Sequence, residues 1–222
     1  MKALLGGSEL EAGPTLVLAP HGDDEVVGCG GWLIRTRGAH FPRTVAFLVR
    51  RDTQRREDGR AALAGLEVEE VDLDLPERRD RAAPALEEGA ARLSELLRRL
   101  KPAHLLLPRA DDPHPDHRLA AALLRRAVTA ELPGAPSLLV YEGLVPLGDA
   151  NRLLDLTGVM EEKLARLRSY ESQDARYGLT EMVKYLNAYR ARTLLRRGIR
   201  FAEAYHQVPS SGVRKWLELH AC

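Results

Sequence analysis

Apolar residues follow two different patterns along the chain. In some places they form short continuous runs, which predict buried β-strands, and these runs cover residues 16–19, 44–49, 68–73, 104–108 and 137–141. The third run carries interleaved charges, so we expect its strand to be partly exposed. Longer segments separate the runs, which is the spacing of strands that are connected by helices.

In the segments between the runs, apolar residues recur at helical spacing. The clearest case is residues 84–100, where leucines share one face and Pro102 follows the end. We predict further helices after the first strand, over 55–66, over 119–128 and from Met160 onward. This alternation is typical of a mainly parallel sheet covered on both faces. The expected fold is α/β, a Rossmann-like three-layer sandwich with a helical C-terminal part, formed by residues 1–222 as a single domain.

Composition narrows the classes of partner and compartment. The 222 residues carry a formal net charge of +1, which indicates neither a nucleic-acid partner nor binding to an anionic membrane surface. No apolar run is long enough to span a membrane, and the N-terminus lacks the apolar core of a signal peptide. The two cysteines, Cys29 and Cys222, form no disulfide framework and fit a reducing compartment. A cytoplasmic protein is the resulting prediction.

A first polar cluster follows the first predicted strand. His21, Asp23 and Asp24 come directly after Pro20, at the end of the strand where open α/β sheets bind ligands. Charge that is buried there needs a partner, a shifted pKa or a metal ion. The alternative is a polar turn in which one aspartate caps the next helix. Capping explains one aspartate and leaves the histidine and the other aspartate unexplained.

A second cluster, His114, Asp116 and His117, follows the fourth predicted strand. The carboxyl ends of parallel strands share one edge of a sheet, so we expect the two clusters to meet. Imidazoles and carboxylates with an open position describe a catalytic zinc site, in which the ion activates water and polarises a carbonyl. A nearby carboxylate can act as a base, and a charged histidine can stabilise an oxyanion. The alternative is a helix N-terminus capped by Asp116, with solvated histidines.

The two motifs, PHGDDE at 20–25 and HPDHR at 114–118, resemble those of the LmbE-like deacetylases, also called the PIG-L or N-acetylglucosaminyl deacetylase superfamily. Weaker similarities lie at RRE (55–57), LDLPE (73–77), KLARLRSYESQ (163–173) and AEAY (202–205), so the resemblance covers about residues 15 to 206. Gly22 stands where the family commonly has proline, which loosens the turn without removing a ligand. Tyr170 or Glu171 stands where histidine is common.

The resemblance implies a role for each polar residue of the two motifs. Three residues are implied as ligands of Zn²⁺, with Fe²⁺ or Co²⁺ as alternatives: His21, Asp24 and His117. Asp23 is implied as the general base, His114 as the group that stabilises the oxyanion, and Asp116 as the residue that orients His114.

The implied activity is a zinc-dependent hydrolysis of the N-acetyl amide of an amino sugar or amino-sugar conjugate, a small-molecule substrate. Two alternatives stay open, a 2-His-1-carboxylate Fe(II) oxygenase and a metal-binding module without catalytic activity. Asp23 beside the ligand Asp24 favours hydrolysis, because an oxygenase needs no base there. Contacts of Arg50, Arg51 and Asp52 with substrate are left open, with Arg51 and Asp52 favoured because they leave the second strand directly. The oligomeric state is also open, a homo-oligomer included.

Overall fold

A computed structural model describes residues 2–10, 12–77, 82–128, 132–143, 145–194 and 197–220. Eight strands form one sheet: β1 (Ala3–Leu4), β2 (Thr15–Ala19), β3 (Arg43–Val49), β4 (Glu69–Leu75), β5 (His104–Pro108), β6 (Ser137–Tyr141), β7 (Arg152–Asp155) and β8 (Ala202–Val208). The helices are α1 (Gly7–Leu10), α2 (Asp24–Arg35), α3 (Thr53–Leu63), α4 (Ala83–Leu100), α5 (Pro115–Ala127), α6 (Met160–Leu167), α7 (Glu171–Tyr177), α8 (Leu179–Arg192) and α9 (Val213–His220).

The strand order is β1-β7-β8-β6-β5-β2-β3-β4, and every pairing is parallel except those of β8 with β6 and β7. From β2 the chain goes outward to β3 and β4 and then returns to the other side of β2 as β5. The order of strands therefore reverses at β2 and β5. At such a switch point the connections diverge and leave a crevice at the carboxyl ends of the strands.

Successive residues of the central strands point to opposite faces of the sheet. Leu16 and Leu18 of β2 pack into a core with α4, α5 and α9, while Val17 and Ala19 pack into a second core with α2, α3 and α6. Burial on both faces explains why these strands read as unbroken apolar runs. The three-layer α/β prediction is confirmed, and β4 is a partly exposed edge strand as expected.

Helix α2 lies unusually close to the sheet because of two glycines. A Cβ atom on Gly28 would stand 2.2 Å from Cδ2 of Tyr141, whose hydroxyl donates a 2.9 Å hydrogen bond to the carbonyl of Leu18. A Cβ atom on Gly31 would stand 2.2 Å from Leu156. The absence of a side chain at these two glycines therefore allows α2 to pack closely on the sheet.

The structure corrects the expectation of continuous helix after Met160. Residues 160–192 are helical, as predicted, but 202–208 form β8, which lies between β6 and β7. Strand β7, with four residues, was not predicted at all. Cys29 is buried in the core, and Cys222 lies outside the described residues. Within the described ranges, no helix has both the length and the apolar character needed to cross a membrane.

We expect Gly28→Ala to lower the free energy of unfolding by about 1–3 kcal/mol, because overpacking of a tight core has this effect and the Tyr141 ring is held by its hydrogen bond. Urea denaturation measures the change. Gly158→Ala is the control, since a Cβ atom there meets nothing within 4 Å. Equal stability of the two variants would contradict the close approach of α2.

Candidate metal centre

The two polar clusters meet at the carboxyl ends of β2 and β5. His21 follows β2, Asp24 opens α2, and His114 and His117 lie at the start of α5. Each of the three histidines offers a ring nitrogen within 4.8 Å of the others. The parallel pairing of β2 with β5 brings these side chains together although they are far apart in the sequence.

The carboxylate of Asp24 lies between two imidazoles. Its Oδ1 is 3.3 Å from His117 Nε2, and its Oδ2 is 3.4 Å from His21 Nδ1 and accepts a 2.9 Å hydrogen bond from the backbone amide of His21. Burial opposes the negative charge, but the His117 and His21 imidazoles hold the pKa of Asp24 well below its usual range. Two imidazoles and one carboxylate on a single point form a donor set that fits a divalent cation.

The two histidines that face Asp24 strongly favour the protonated form. Burial acts against their charge, but carboxylates outweigh it: Asp116 and Asp24 raise the pKa of His21 to about 9, and Asp24 and Asp112 raise the pKa of His117 to about 10. A cation bound here must therefore displace protons, and its affinity must rise with pH.

Asp116 contacts two of the histidines. Its Oδ2 lies 3.2 Å from His21 Nε2, and its backbone amide donates a 3.2 Å hydrogen bond to His114 Nδ1. Burial and then the positive charges of His21 and His117 lower the pKa of His114. The expected charged His114 is thus disfavoured. Because Nδ1 accepts a hydrogen bond, the proton of the neutral ring lies on Nε2.

Asp112 is a residue that the sequence reasoning missed. Its Oδ1 accepts a 2.8 Å hydrogen bond from the backbone amide of His114 and lies 3.2 Å from His117 Nδ1. A carboxylate against the second nitrogen of a metal-binding histidine fixes the ring and raises its basicity. The run Asp111-Asp112 just before the second motif was the available signal, but nothing in it distinguishes Asp112 from its neighbour.

Asp23 is the N-cap of α2 and has a φ of 125°. Its backbone amide donates a 3.0 Å hydrogen bond to Glu25 Oε2. Burial, together with the negative charges of Asp24 and Glu25, raises the pKa of Asp23 well above its usual range. Its carboxyl group is therefore a better proton acceptor than an ordinary aspartate.

An open cavity of about 580 Å³ lies over the histidines. Its lining consists of His21, Val49, Arg55, Glu77, His114, Pro115 and Asp116. Arg55 is half-buried, and no side-chain partner of its guanidinium is found among the described residues. The cavity is of the size that binds small organic ligands.

The residues after β3 do not all face this cavity. Arg51, favoured above as a substrate contact, is buried against the Phe47 ring and pairs with Glu70 and Asp72 at 2.9 and 2.8 Å. Asp52 caps α3 by accepting a hydrogen bond from the amide of Arg55. Both therefore have structural partners, and together with Arg50 and Arg56 they line a neighbouring cavity of about 700 Å³.

The profile of the PIG-L family, described as GlcNAc-PI de-N-acetylase, matches residues 16–128, which include both polar clusters. The 2'-N-acetylparomamine deacetylase of Streptomyces fradiae is 30% identical over 215 residues, covering 74% of this chain and 75% of that protein.

Two solved structures share the fold. The 4-carboxy-2-hydroxymuconate hydratase of Pseudomonas putida has a TM-score of 0.74 at 23% identity, covering 88% of this chain and 96% of that one. The N,N'-diacetylchitobiose deacetylase of Pyrococcus horikoshii has a TM-score of 0.70 at 19% identity, covering 90% and 85%. At these identities the likeness establishes the fold alone.

We expect the free energy of unfolding of chelator-treated protein to fall as the pH rises from 6.5 to 10. The pKa values of His21 and His117 are raised on folding, so their stabilisation is complete below 6.5 and is lost through their folded pKa values. The slope is about 1.4 kcal/mol per pH unit for each histidine. Urea denaturation at several pH values measures it. His117→Gln should flatten the dependence, and the surface variant His40→Gln should leave it unchanged; a flat profile in the unmodified protein contradicts the pairing.

Proposed function

The chain belongs to the PIG-L family, and on that premise we propose that it is a metal-dependent deacetylase that hydrolyses the N-acetyl amide of an amino sugar or amino-sugar conjugate. The observation that carries the proposal is the Asp24 carboxylate between His21 and His117 with the second carboxylate, Asp23, beside it. Two adjacent carboxylates in different environments suit two different tasks.

In this proposal His21, Asp24 and His117 hold the cation, and Zn²⁺ is its first candidate. When bound, the cation supplies an activated water and polarises the amide carbonyl. Three protein ligands with an open position suit that chemistry.

Asp23 takes the proton from the attacking water at a carboxylate oxygen. The new C–O bond converts the amide carbonyl into a tetrahedral oxyanion, which accepts a hydrogen bond from the Nε2–H of neutral His114. Asp23 then returns its proton to the departing nitrogen. The C–N bond breaks, and acetate and the free amine leave.

The cavity wall and the relatives indicate which substrates to test first. Arg55 brings to the cavity a guanidinium that has no side-chain partner among the described residues, and this group can donate hydrogen bonds to sugar hydroxyls. Because the S. fradiae relative is named for 2'-N-acetylparomamine, N-acetylated aminoglycoside precursors are the first substrates to test. Acetate release from these, from N-acetylglucosamine and from N,N'-diacetylchitobiose is measured with zinc-, cobalt- and iron(II)-loaded protein. Absence of acetate in every combination would overturn the proposal.

Metal affinity distinguishes the proposed ligand set, two imidazoles and one carboxylate, from an alternative set of three imidazoles. We expect Asp24→Asn and His117→Gln to weaken zinc binding by more than about 100-fold, because outer-shell changes alone cost about 10–100-fold. His114→Gln should stay within a few-fold of the unmodified protein. Competition with a chromophoric chelator measures the affinities. A loss in His114→Gln as large as in Asp24→Asn would instead assign the site to the three histidines.

We expect Asp23→Asn to keep its zinc and to lose about 10²–10⁴-fold in kcat, because a general base typically contributes that much. Steady-state acetate release and metal analysis of the same sample give the two quantities. Asp111→Asn is the matched control, since Asp111 is exposed and paired with Arg109 outside the cavity lining. Near-full turnover in Asp23→Asn would place the base elsewhere.

A further inference from the structure

Tyr170 is buried, and its hydroxyl bonds to a carboxylate next to the proposed metal site. Its hydroxyl donates a 2.5 Å hydrogen bond to Glu25 Oε1, and the other oxygen of Glu25 accepts the backbone amide of Asp23 at 3.0 Å. Glu25 and Tyr170 are both fully buried. A continuous chain of hydrogen bonds thus connects the segment before α7 with the backbone of the proposed base.

The backbone that this chain of hydrogen bonds reaches is strained. Asp23 has a φ of 125°, a region that a non-glycine residue rarely occupies and that costs on the order of 1–3 kcal/mol. Such a conformation persists only where neighbouring contacts hold it. The amide of Asp23 is held by Glu25, and its carbonyl accepts the amides of Val26 and Val27 in α2.

Gly22 allows the close approach of Tyr170. A Cβ atom on Gly22 would stand 3.3 Å from Cε1 of the Tyr170 ring, closer than side chains usually pack. The ring therefore lies directly against the backbone that precedes Asp23. Tyr170 therefore contacts residues 22–25 at two points, through its ring at Gly22 and through its hydroxyl at Glu25.

We propose that Tyr170 is a positioning residue, which acts through Glu25 to fix the backbone of Asp23 in the conformation that aims its carboxylate at the attacking water. This inference rests on the proposed deacetylation. It concerns geometry alone: Tyr170 is not among the residues that line the cavity, and its hydroxyl donates to Glu25 rather than to a proposed metal ligand. A displacement of about 1 Å in a reacting group lowers turnover by about 100-fold, with little effect on substrate binding.

The test compares Tyr170→Phe with Tyr205→Phe. Tyr205 is also fully buried, and its hydroxyl donates a 2.6 Å hydrogen bond to a glutamate, Glu203, far from Asp23. Both variants lose a buried tyrosine–carboxylate bond, so a general loss of stability affects both. We expect only Tyr170→Phe to lower kcat, by about 10–100-fold, with KM and zinc affinity within a few-fold.

A double-mutant cycle tests whether Tyr170 acts through Asp23. In the Asp23→Asn background, Tyr170→Phe should cause no further loss of kcat, because the group it positions is already missing. Full additivity of the two losses would overturn the proposal. Equal losses in Tyr170→Phe and Tyr205→Phe would also overturn it, since they would indicate a general structural effect.

Hydrogen–deuterium exchange of residues 21–27 supplies a readout that needs no substrate. Tyr170→Phe should accelerate exchange at the Asp23 amide, and Tyr205→Phe should not. If the unmodified protein releases no acetate while this difference is present, the deacetylase proposal fails and the positioning contact stands. Unchanged exchange in Tyr170→Phe overturns the contact itself. Glu25→Met, which keeps the length of the side chain but removes both acceptor oxygens, should reproduce the faster exchange and serves if Tyr170→Phe does not fold.

Discussion

Asp24 carries a negative charge at a position that is 5% exposed, and a buried carboxylate is strongly unfavourable unless other groups pair with it. His21 comes from the same turn, but His117 belongs to α5, which follows a different strand. His117 reaches Asp24 only because β5 returns to the side of β2 in parallel, with Leu16 paired to Leu105. The reversal of strand order is therefore what completes the site, and α5 must begin directly after its N-cap His114 for its first turn to face α2.

Another buried ion pair, between Lys163 and Glu203, fixes the position of α2. Lys163 Nζ lies 2.7 Å from Glu203 Oε1 and also donates to the carbonyl of Val27 and to Asn187 Oδ1. Glu203 in turn accepts the backbone amides of Gly31 and Trp32 within α2. Removal of one member of such a pair typically costs about 3–5 kcal/mol, because the other charge stays buried without a partner. Here the pair joins α6 and β8 to the middle of α2, and Asn187 adds a contact from α8, so α2 is held by three elements.

Strands β2 to β6 and the two polar clusters could be predicted because each depends on a local pattern: short apolar runs, with the polar clusters directly after β2 and β5. Strand β7 is too short to give a pattern, and β8 carries Glu203 at a buried position, which a hydrophobicity pattern interprets as polar. The burial of Arg51 could not be predicted either, since its partners Glu70 and Asp72 come from the neighbouring strand β4. Asp112 could not be separated from Asp111, because only the structure shows which carboxylate faces His117. A single sequence does not show which charged residues, distant along the chain, pair with each other.

The same fold occurs in a hydratase and in a deacetylase, so the fold does not decide between these activities. The proposed ligands and base follow β2 and β5, whereas the wall of the cavity includes Val49, Arg55 and Glu77, which lie at or beyond the ends of β3 and β4. In the proposed mechanism, activation of water and recognition of the substrate are thus carried by different segments. On that proposal, a change of residues after β3 or β4 would alter the substrate without disturbing the pairing at Asp24, whereas a change at Asp24 would remove the chemistry for every substrate. Amide hydrolysis ranks first for this chain because the family profile, described as a de-N-acetylase, matches residues 16–128, which include both kinds of segment. In addition, Asp23 stands beside Asp24 with a pKa raised by burial and by its acidic neighbours, as a base in water activation requires.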